Sequence, residues 1–185
     1  MTLWLVRHAQ PLIESGICYG QLDIPADLQA TQTCAKELFK VLPKGIAVIT
    51  SPLQRCELLA QILCGLQPDL PQKTDPRLQE MNFGQWEGRP WADIDPAALS
   101  AWTDDFAHYR AGGTGESVEQ FMTRVGEAFD QVDPTKDTLW VTHAGVIRAA
   151  TLLAQGIRRI SQASDWPTHA PAYGQWCKLD LSSRA

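Results

Sequence analysis

The chain has 185 residues, 44% hydrophobic and 20% charged, with a formal net charge of -5 at pH 7. That length suits one domain with a full core, and the acidic balance leaves no basic face for nucleic acid or a membrane surface. No run approaches the ~20 apolar residues of a membrane span, and five scattered cysteines without a C-x-x-C pair argue against a disulfide scaffold or a zinc site.

These features predict a cytoplasmic protein acting on a small ligand, with no zinc site. If the ligand is anionic, its positive site must be local, because the global field is mildly repulsive.

In chain order, Leu3-Trp4-Leu5-Val6 reads as a buried strand, apolar on both faces. Leu28, Ala35, Leu38, Phe39 and Leu42 keep a helical spacing, and Ile46-Ala47-Val48-Ile49 is a second strand. Ser51-Pro52 reads as an N-cap with proline at the first helical position, opening a helix through Leu53, Leu58, Leu59 and Ile62. The segment Gln85–Gly115 breaks this rhythm. Asp95-Pro96 opens a helix there whose one face carries Leu99, Trp102, Phe106 and Tyr109, either as packing or as a lid-like aromatic insert.

Ser117-Val118-Glu119-Gln120 is a capping-box pattern, followed by helical spacing through Phe121, Met122, Val125, Ala128, Phe129 and Val132. Leu139-Trp140-Val141 is a third apolar strand. His143-Ala144-Gly145 opens a helix through Ile147, Ala150 and Leu153. The alternation Trp176 to Leu181 reads as a last strand, antiparallel to the rest. The whole predicts a single α/β domain over residues 1–185, a three-layer α/β/α sandwich on a mostly parallel central sheet.

Each of the three apolar strands ends in residues suited to an anion. The first runs into Arg7-His8, the second into Ser51 and, one helical turn on, Arg55, and the third into His143. Ligands of open α/β sheets bind at the carboxyl ends of strands, where helix N-termini offer unpaired N–H groups. Singly, a strand-end Arg is an ordinary ion-pair residue and a lone His an ordinary polar one. Four such residues at three matching junctions predict one anion pocket.

Other phosphate chemistries lack their residues. No cysteine is followed by arginine at the C-x5-R spacing, and neither a P-loop nor a G-x-S-x-G elbow is present. Asp93-Ile94-Asp95 imitates a D-x-D pair but does not follow a strand, so Asp95 reads as a helix cap.

The motifs are similar to those of the histidine phosphatase superfamily, with its phosphoglycerate-mutase-like fold. Leu5-Val6-Arg7-His8-Ala9-Gln10 resembles its Arg-His-Gly motif, and Ser51-Pro52-Leu53-Gln54-Arg55-Cys56 its S-x-L-x-R-[CA] segment. Residues 78–88, Leu-Gln-Glu-Met-Asn-Phe-Gly-Gln-Trp-Glu-Gly, resemble its L-x-E-x-x-F-G-x-W-E-G block. Val141-Thr142-His143-Ala144-Gly145 resembles its second histidine motif.

The resemblance implies a metal-independent phosphomonoesterase that needs no cofactor and takes a small phosphorylated metabolite. It makes His8 the nucleophile, Glu80 the acid, and Arg7, Arg55 and His143 the phosphate ligands. Those roles suit the residue types. A neutral imidazole attacks phosphorus, arginine forks match phosphate oxygens, and clustered cationic donors neutralise a transferring phosphoryl group.

Two features depart from the family pattern. Ala9 stands where the family has Gly, so the turn after the nucleophile is expected to differ if the family's has positive φ. Pro11 and Glu14 replace the usual neutral phosphate ligand, and Gln10 is the substitute. Residues 17–25 look most like the α-ribazole phosphatase branch of cobalamin biosynthesis. Tyr19, Trp86, Trp91 and Trp102 are then expected in the substrate pocket, where rings could stack on an aromatic bicycle. A broad small-ester phosphatase, a mutase and a non-catalytic phospholigand binder are the alternatives.

Overall fold

Leu3 and Leu5 point to one side of the first strand, Trp4 and Val6 to the other, and all four are buried. Such a strand needs cover on both faces, and the topology supplies it. The computed structural model describes residues 1–182. Its strands are β1 (Thr2–Arg7), β2 (Ala47–Thr50), β3 (Gln72–Thr74), β4 (Thr138–Thr142) and β5 (Trp176–Asp180). They form one sheet in the order β3-β2-β4-β1-β5. β1 pairs in parallel with β4, β4 with β2 and β2 with β3, and only β5 runs antiparallel, against β1.

Helices α1 (Leu28–Val41) and α2 (Gln54–Leu66) cover one face, burying Trp4, Val6, Val48, Leu139 and Val141. Between them and the next pair in sequence comes the shorter α3 (Pro96–Asp104). Helices α4 (Val118–Asp130) and α5 (Ala144–Ala154) cover the other face, burying Leu3, Leu5 and Trp140. This is the expected three-layer arrangement. No helix among the described residues is long and apolar enough to cross a membrane.

Local chemistry accounts for the helix starts. The Asp27 carboxylate accepts from Ala30 N–H at the head of α1. At α4, Ser117 Oγ accepts from Gln120 N–H and the Gln120 side chain accepts from Ser117 N–H, the complete capping box that the sequence predicts.

Four local expectations need correction. Leu28 and Phe39 are exposed, because α1 buries Thr31, Cys34, Ala35 and Leu38 instead. Ser51 does not cap α2. That helix starts at Gln54 after an extended Leu53, and the Ser51 hydroxyl is used elsewhere. Helix α3 stops at Asp104, so Phe106 and Tyr109 lie beyond it; two aspartates at its C-terminal end face the negative pole of the helix dipole. The all-polar β3 has no apolar pattern to announce it, and it is a strand only through its ladder with β2.

Candidate active site

The order β2-β4-β1 brings the three predicted junctions side by side. The ladder runs one residue past each strand: His8 N–H donates to Thr142 O (3.0 Å) and Ser51 N–H to Val141 O (3.0 Å). His8, Ser51 and His143 therefore leave the sheet together, and the rings of His8 and His143 lie 5.2 Å apart. Arg7, His8, Arg55 and His143 are thus brought together as the strand ends imply.

His8 is 2% exposed. Its Nδ1 sits 2.8 Å from the Ala9 carbonyl. A carbonyl only accepts, so Nδ1 carries the proton and Nε2 keeps the lone pair. Burial, then the positive charge of Arg55 and of Arg7, lowers the His8 pKa to about 3. The ring is a neutral imidazole with a free Nε2, the form that attacks phosphorus. Ala9 is buried and its φ is not positive, so this turn carries no strain from the missing glycine.

Arg55, in the first turn of α2, is fully buried. It donates through Nη1 to Leu22 O (2.9 Å) and through Nη2 to Gly20 O (2.7 Å). Arg7 donates from Nη1 to Pro171 O (3.2 Å) and stacks on the Tyr173 ring at 3.8 Å. Carbonyls and a ring hold both guanidiniums, and no carboxylate among the described residues forms an ion pair with either. One buried and one half-buried cation without counter-charge make a site that an anion stabilises.

His143 precedes α5 as its N-cap residue. Its Nε2 lies 2.9 Å from Ser51 Oγ and 3.5 Å from Cys56 Sγ. Burial first, then the charge of Arg55, holds its pKa well below the ordinary histidine value. As a neutral ring it can donate one hydrogen bond to a phosphoryl oxygen, with the Ser51 hydroxyl fixing the opposite nitrogen.

Glu80 reaches the start of α5 from the segment after β3. One carboxyl oxygen accepts from Met81 N–H (3.0 Å), the other from Gly145 N–H (3.0 Å) in the first turn of α5. A Cβ at Gly145 would collide with the Glu80 carboxyl group, so the glycine of the second histidine motif makes room for that carboxyl. Arg124 and Gln21 both donate to the Glu80 carbonyl, at 3.3 and 3.1 Å. Glu87 Oε1 accepts from Gln21 N–H and Phe83 N–H, fixing the loop that carries Glu80.

Neutral imidazole and fixed cations gather at the strand ends, a carboxyl group is bound to the first turn of the helix that follows His143, and the comparison with known proteins agrees. The family description "Histidine phosphatase superfamily (branch 1)" matches residues 3–183. The chain belongs to this superfamily. It is a phosphatase, a phosphoric monoester hydrolase. It is 30% identical to the adenosylcobalamin/alpha-ribazole phosphatase of Salmonella typhimurium, over 98% of this chain and 91% of that one. Among solved structures it is similar to TTHB049 from Thermus thermophilus (TM-score 0.73, 28% identity, covering 97% and 94% of the two chains). It is also similar to the mycobacterial glucosyl-3-phosphoglycerate phosphatase Rv2419c (TM-score 0.76, 25% identity, covering 96% and 88%).

In this histidine phosphatase a cleft of about 410 Å³ opens beside Glu80 and Gly145, walled by Phe83, Trp102, Phe106, Trp166 and Arg148. Of the expected substrate-pocket tryptophans, only Trp102 lines it. Trp86 is 5% exposed in the core, and Trp91 packs edge-on against Phe83 and Trp86, at 5.4 and 6.3 Å between ring centroids. Tyr19 stands over Arg55, and its hydroxyl meets that of Tyr173 at 2.6 Å. Gln10 is exposed, with its amide turned to the Pro11 carbonyl (3.5 Å).

Three residues at the site escape a reading of the sequence. Arg148 lies one turn past Gly145 on α5. Trp166 and Tyr173 stand in the connection before β5, far in sequence from any strand junction. The only available signal is aromatic residues in an otherwise polar loop.

Proposed function

We propose that the protein hydrolyses a phosphate monoester in two steps through a phosphohistidine on His8, with α-ribazole 5'-phosphate as substrate. In the first step His8 Nε2 forms a bond to phosphorus as the P–O bond to the alcohol breaks, and Glu80 gives that oxygen its proton. In the second, water attacks the phosphohistidine, giving up its proton to Glu80, and the N–P bond breaks to return neutral His8. Arg7, Arg55 and His143 hold the phosphoryl oxygens throughout. Fixed cationic donors do there what a metal ion does in other phosphoryl-transfer enzymes.

The observation that carries this reading is the His8–Ala9 hydrogen bond, which leaves Nε2 unprotonated beside two arginines that lack counter-charge. The substrate rests on the aromatic cleft. An alcohol leaving past Glu80 enters a space lined by Trp102, Phe106 and Trp166, which suits a planar bicycle better than a small acid. The 30% identity to an adenosylcobalamin/alpha-ribazole phosphatase supports the same choice.

One observation favours a second reading. Arg148 lines the cleft, so its charge lies within reach of the pocket; burial lowers its pKa, and the Glu80 carboxylate opposes that shift. A carboxylate-bearing ester, such as a phosphoglycerate derivative, would use it. Comparing kcat/KM for α-ribazole 5'-phosphate, 3-phosphoglycerate and 4-nitrophenyl phosphate separates the two. A preference for 3-phosphoglycerate would replace the first reading with the second.

A further inference from the structure

The connection ahead of β5 closes over the end of β1. Gly174 N–H donates to the carbonyls of Arg7 (3.2 Å) and His8 (3.0 Å), and Arg7 N–H donates to Gln175 O (3.0 Å). These backbone bonds fix Tyr173, whose ring lies 3.8 Å from Arg7 Cζ and 5.5 Å from the His8 ring.

Tyr19 is fixed from the opposite side. Cys18 N–H donates to Arg89 O (2.9 Å) and Gly88 N–H to Cys18 O (2.7 Å). The Tyr19 ring lies 5.4 Å from Arg55 Cζ. The two phenols meet oxygen to oxygen at 2.6 Å. Two loops from opposite ends of the chain thus join by their hydroxyls across the two arginines.

A pair of phenols holds two O–H protons, and the bond between them uses one. The second proton is free to donate. We propose that Tyr173 is the neutral phosphate ligand of this pocket, with Tyr19 donating to its oxygen, and that its ring is the platform that orients Arg7. The proposal rests on the pocket's being the phosphoryl site. It assigns to Tyr173 the place that the sequence pattern leaves open and that Gln10, turned toward Pro11, does not fill here.

Two physical arguments favour the pair. Burial first, and then the hydrogen bond it donates to Tyr173, pushes the Tyr19 pKa well above the ordinary phenol value, so it keeps its proton and stays a donor at any working pH. A desolvated guanidinium stacked on a ring held by backbone bonds loses little freedom when phosphate arrives, which is the preorganisation that anion capture needs.

The test is calorimetric binding of inorganic phosphate and orthovanadate to the full chain, with turnover of 4-nitrophenyl phosphate. Wild type, Tyr173→Phe, Tyr173→Leu and Tyr19→Phe are compared, and each is first checked for cooperative unfolding without ligand. Tyr173→Phe keeps the stack and loses the hydroxyl. Because a hydrogen bond to a charged group is at stake, roughly tenfold weaker binding of both anions is expected, with kcat changed far less. Tyr173→Leu also loses the platform, so kcat falls as well, and its difference from Tyr173→Phe reads the orientation of Arg7.

Tyr19→Phe leaves the stack intact, and about threefold weaker binding is expected as the Tyr173 hydroxyl loses its partner. Anion affinities within about twofold of wild type in both phenylalanine variants would overturn the proposal while leaving the phosphoryl site in place. A wild type that binds neither anion would overturn both.

Discussion

Glu80 and Gly145 fit each other: the carboxylate accepts the Gly145 N–H at 3.0 Å in space that a Cβ would occupy. Glu80, the proposed acid, is thereby tied to the helix whose N-cap residue is His143. Gly145→Ala is expected to displace the acid without touching the phosphate ligands. Turnover of an alkyl ester, whose alkoxide must be protonated, should fall by about 10²–10³. Turnover of 4-nitrophenyl phosphate, whose leaving group needs no proton, should fall less than about tenfold. Glu80→Gln should show the same split, and equal losses on both esters in both variants would remove Glu80 from the role of acid.

The nucleophile is assigned by trapping. Rapid quench with labelled substrate should leave acid-labile, base-stable phosphate on the wild type, mapped to His8. His8→Ala should carry none, whereas His143→Ala should still label, slowly, because it retains the Nε2 lone pair of His8. Label on His143 would reverse the two roles.

Acid should destabilise the fold through its two buried histidines. The folded pKa of His8, about 3, lies below its unfolded value near 6.5, and that of His143 is lowered too. From about pH 6.5 downward the unfolded chain binds protons that the native chain refuses, so stability falls as pH falls. Each histidine adds a slope approaching about 1.4 kcal/mol per pH unit. Urea unfolding between about pH 7 and pH 5 should show a shallower loss for His8→Gln than for wild type. Identical slopes would mean that His8 is protonated in the native state. For the same reason kcat/KM should not fall off at the ordinary histidine pKa, since His8 stays unprotonated well below it.

The tryptophans should divide by position. Trp86, 5% exposed in the core, should cost roughly 3–5 kcal/mol of stability as Trp86→Ala. Trp102 and Trp166 line the cleft, so Trp102→Ala and Trp166→Ala should reduce use of an aromatic ester several-fold more than use of 4-nitrophenyl phosphate. Uniform losses on both substrates would make these side chains core alone.

In the proposed mechanism Arg7 and Arg55 carry the charge that neutralises the phosphoryl group, so turnover should survive dialysis against EDTA. Loss of activity with EDTA, restored by Mg²⁺, would overturn the metal-free route.

The three junctions are legible in the sequence because continuous apolar runs mark doubly covered strands, and each run stops abruptly at a charged or imidazole side chain. Other parts of the site depend on packing that no local pattern encodes. Ser51 has the residue type and the following proline of a helix cap. Its hydroxyl is instead 2.9 Å from His143 Nε2, a contact that exists only because β2 and β4 are neighbours. Trp86 and Trp102 read alike as aromatic residues in one segment. Burial separates them, with Trp86 in the core and Trp102 facing the cleft. Tyr173 meets Tyr19 only through the return of β5 along β1.

That return matters for how the sheet assembles. β1, which ends at Arg7 just before His8, pairs with β4 and β5, the fourth and fifth strands in chain order. Contacts between segments so far apart along the sequence raise the contact order and slow folding. Until both ladders form, nothing holds His8 beside His143, so the anion pocket is expected to appear late in folding, with the closing of the sheet.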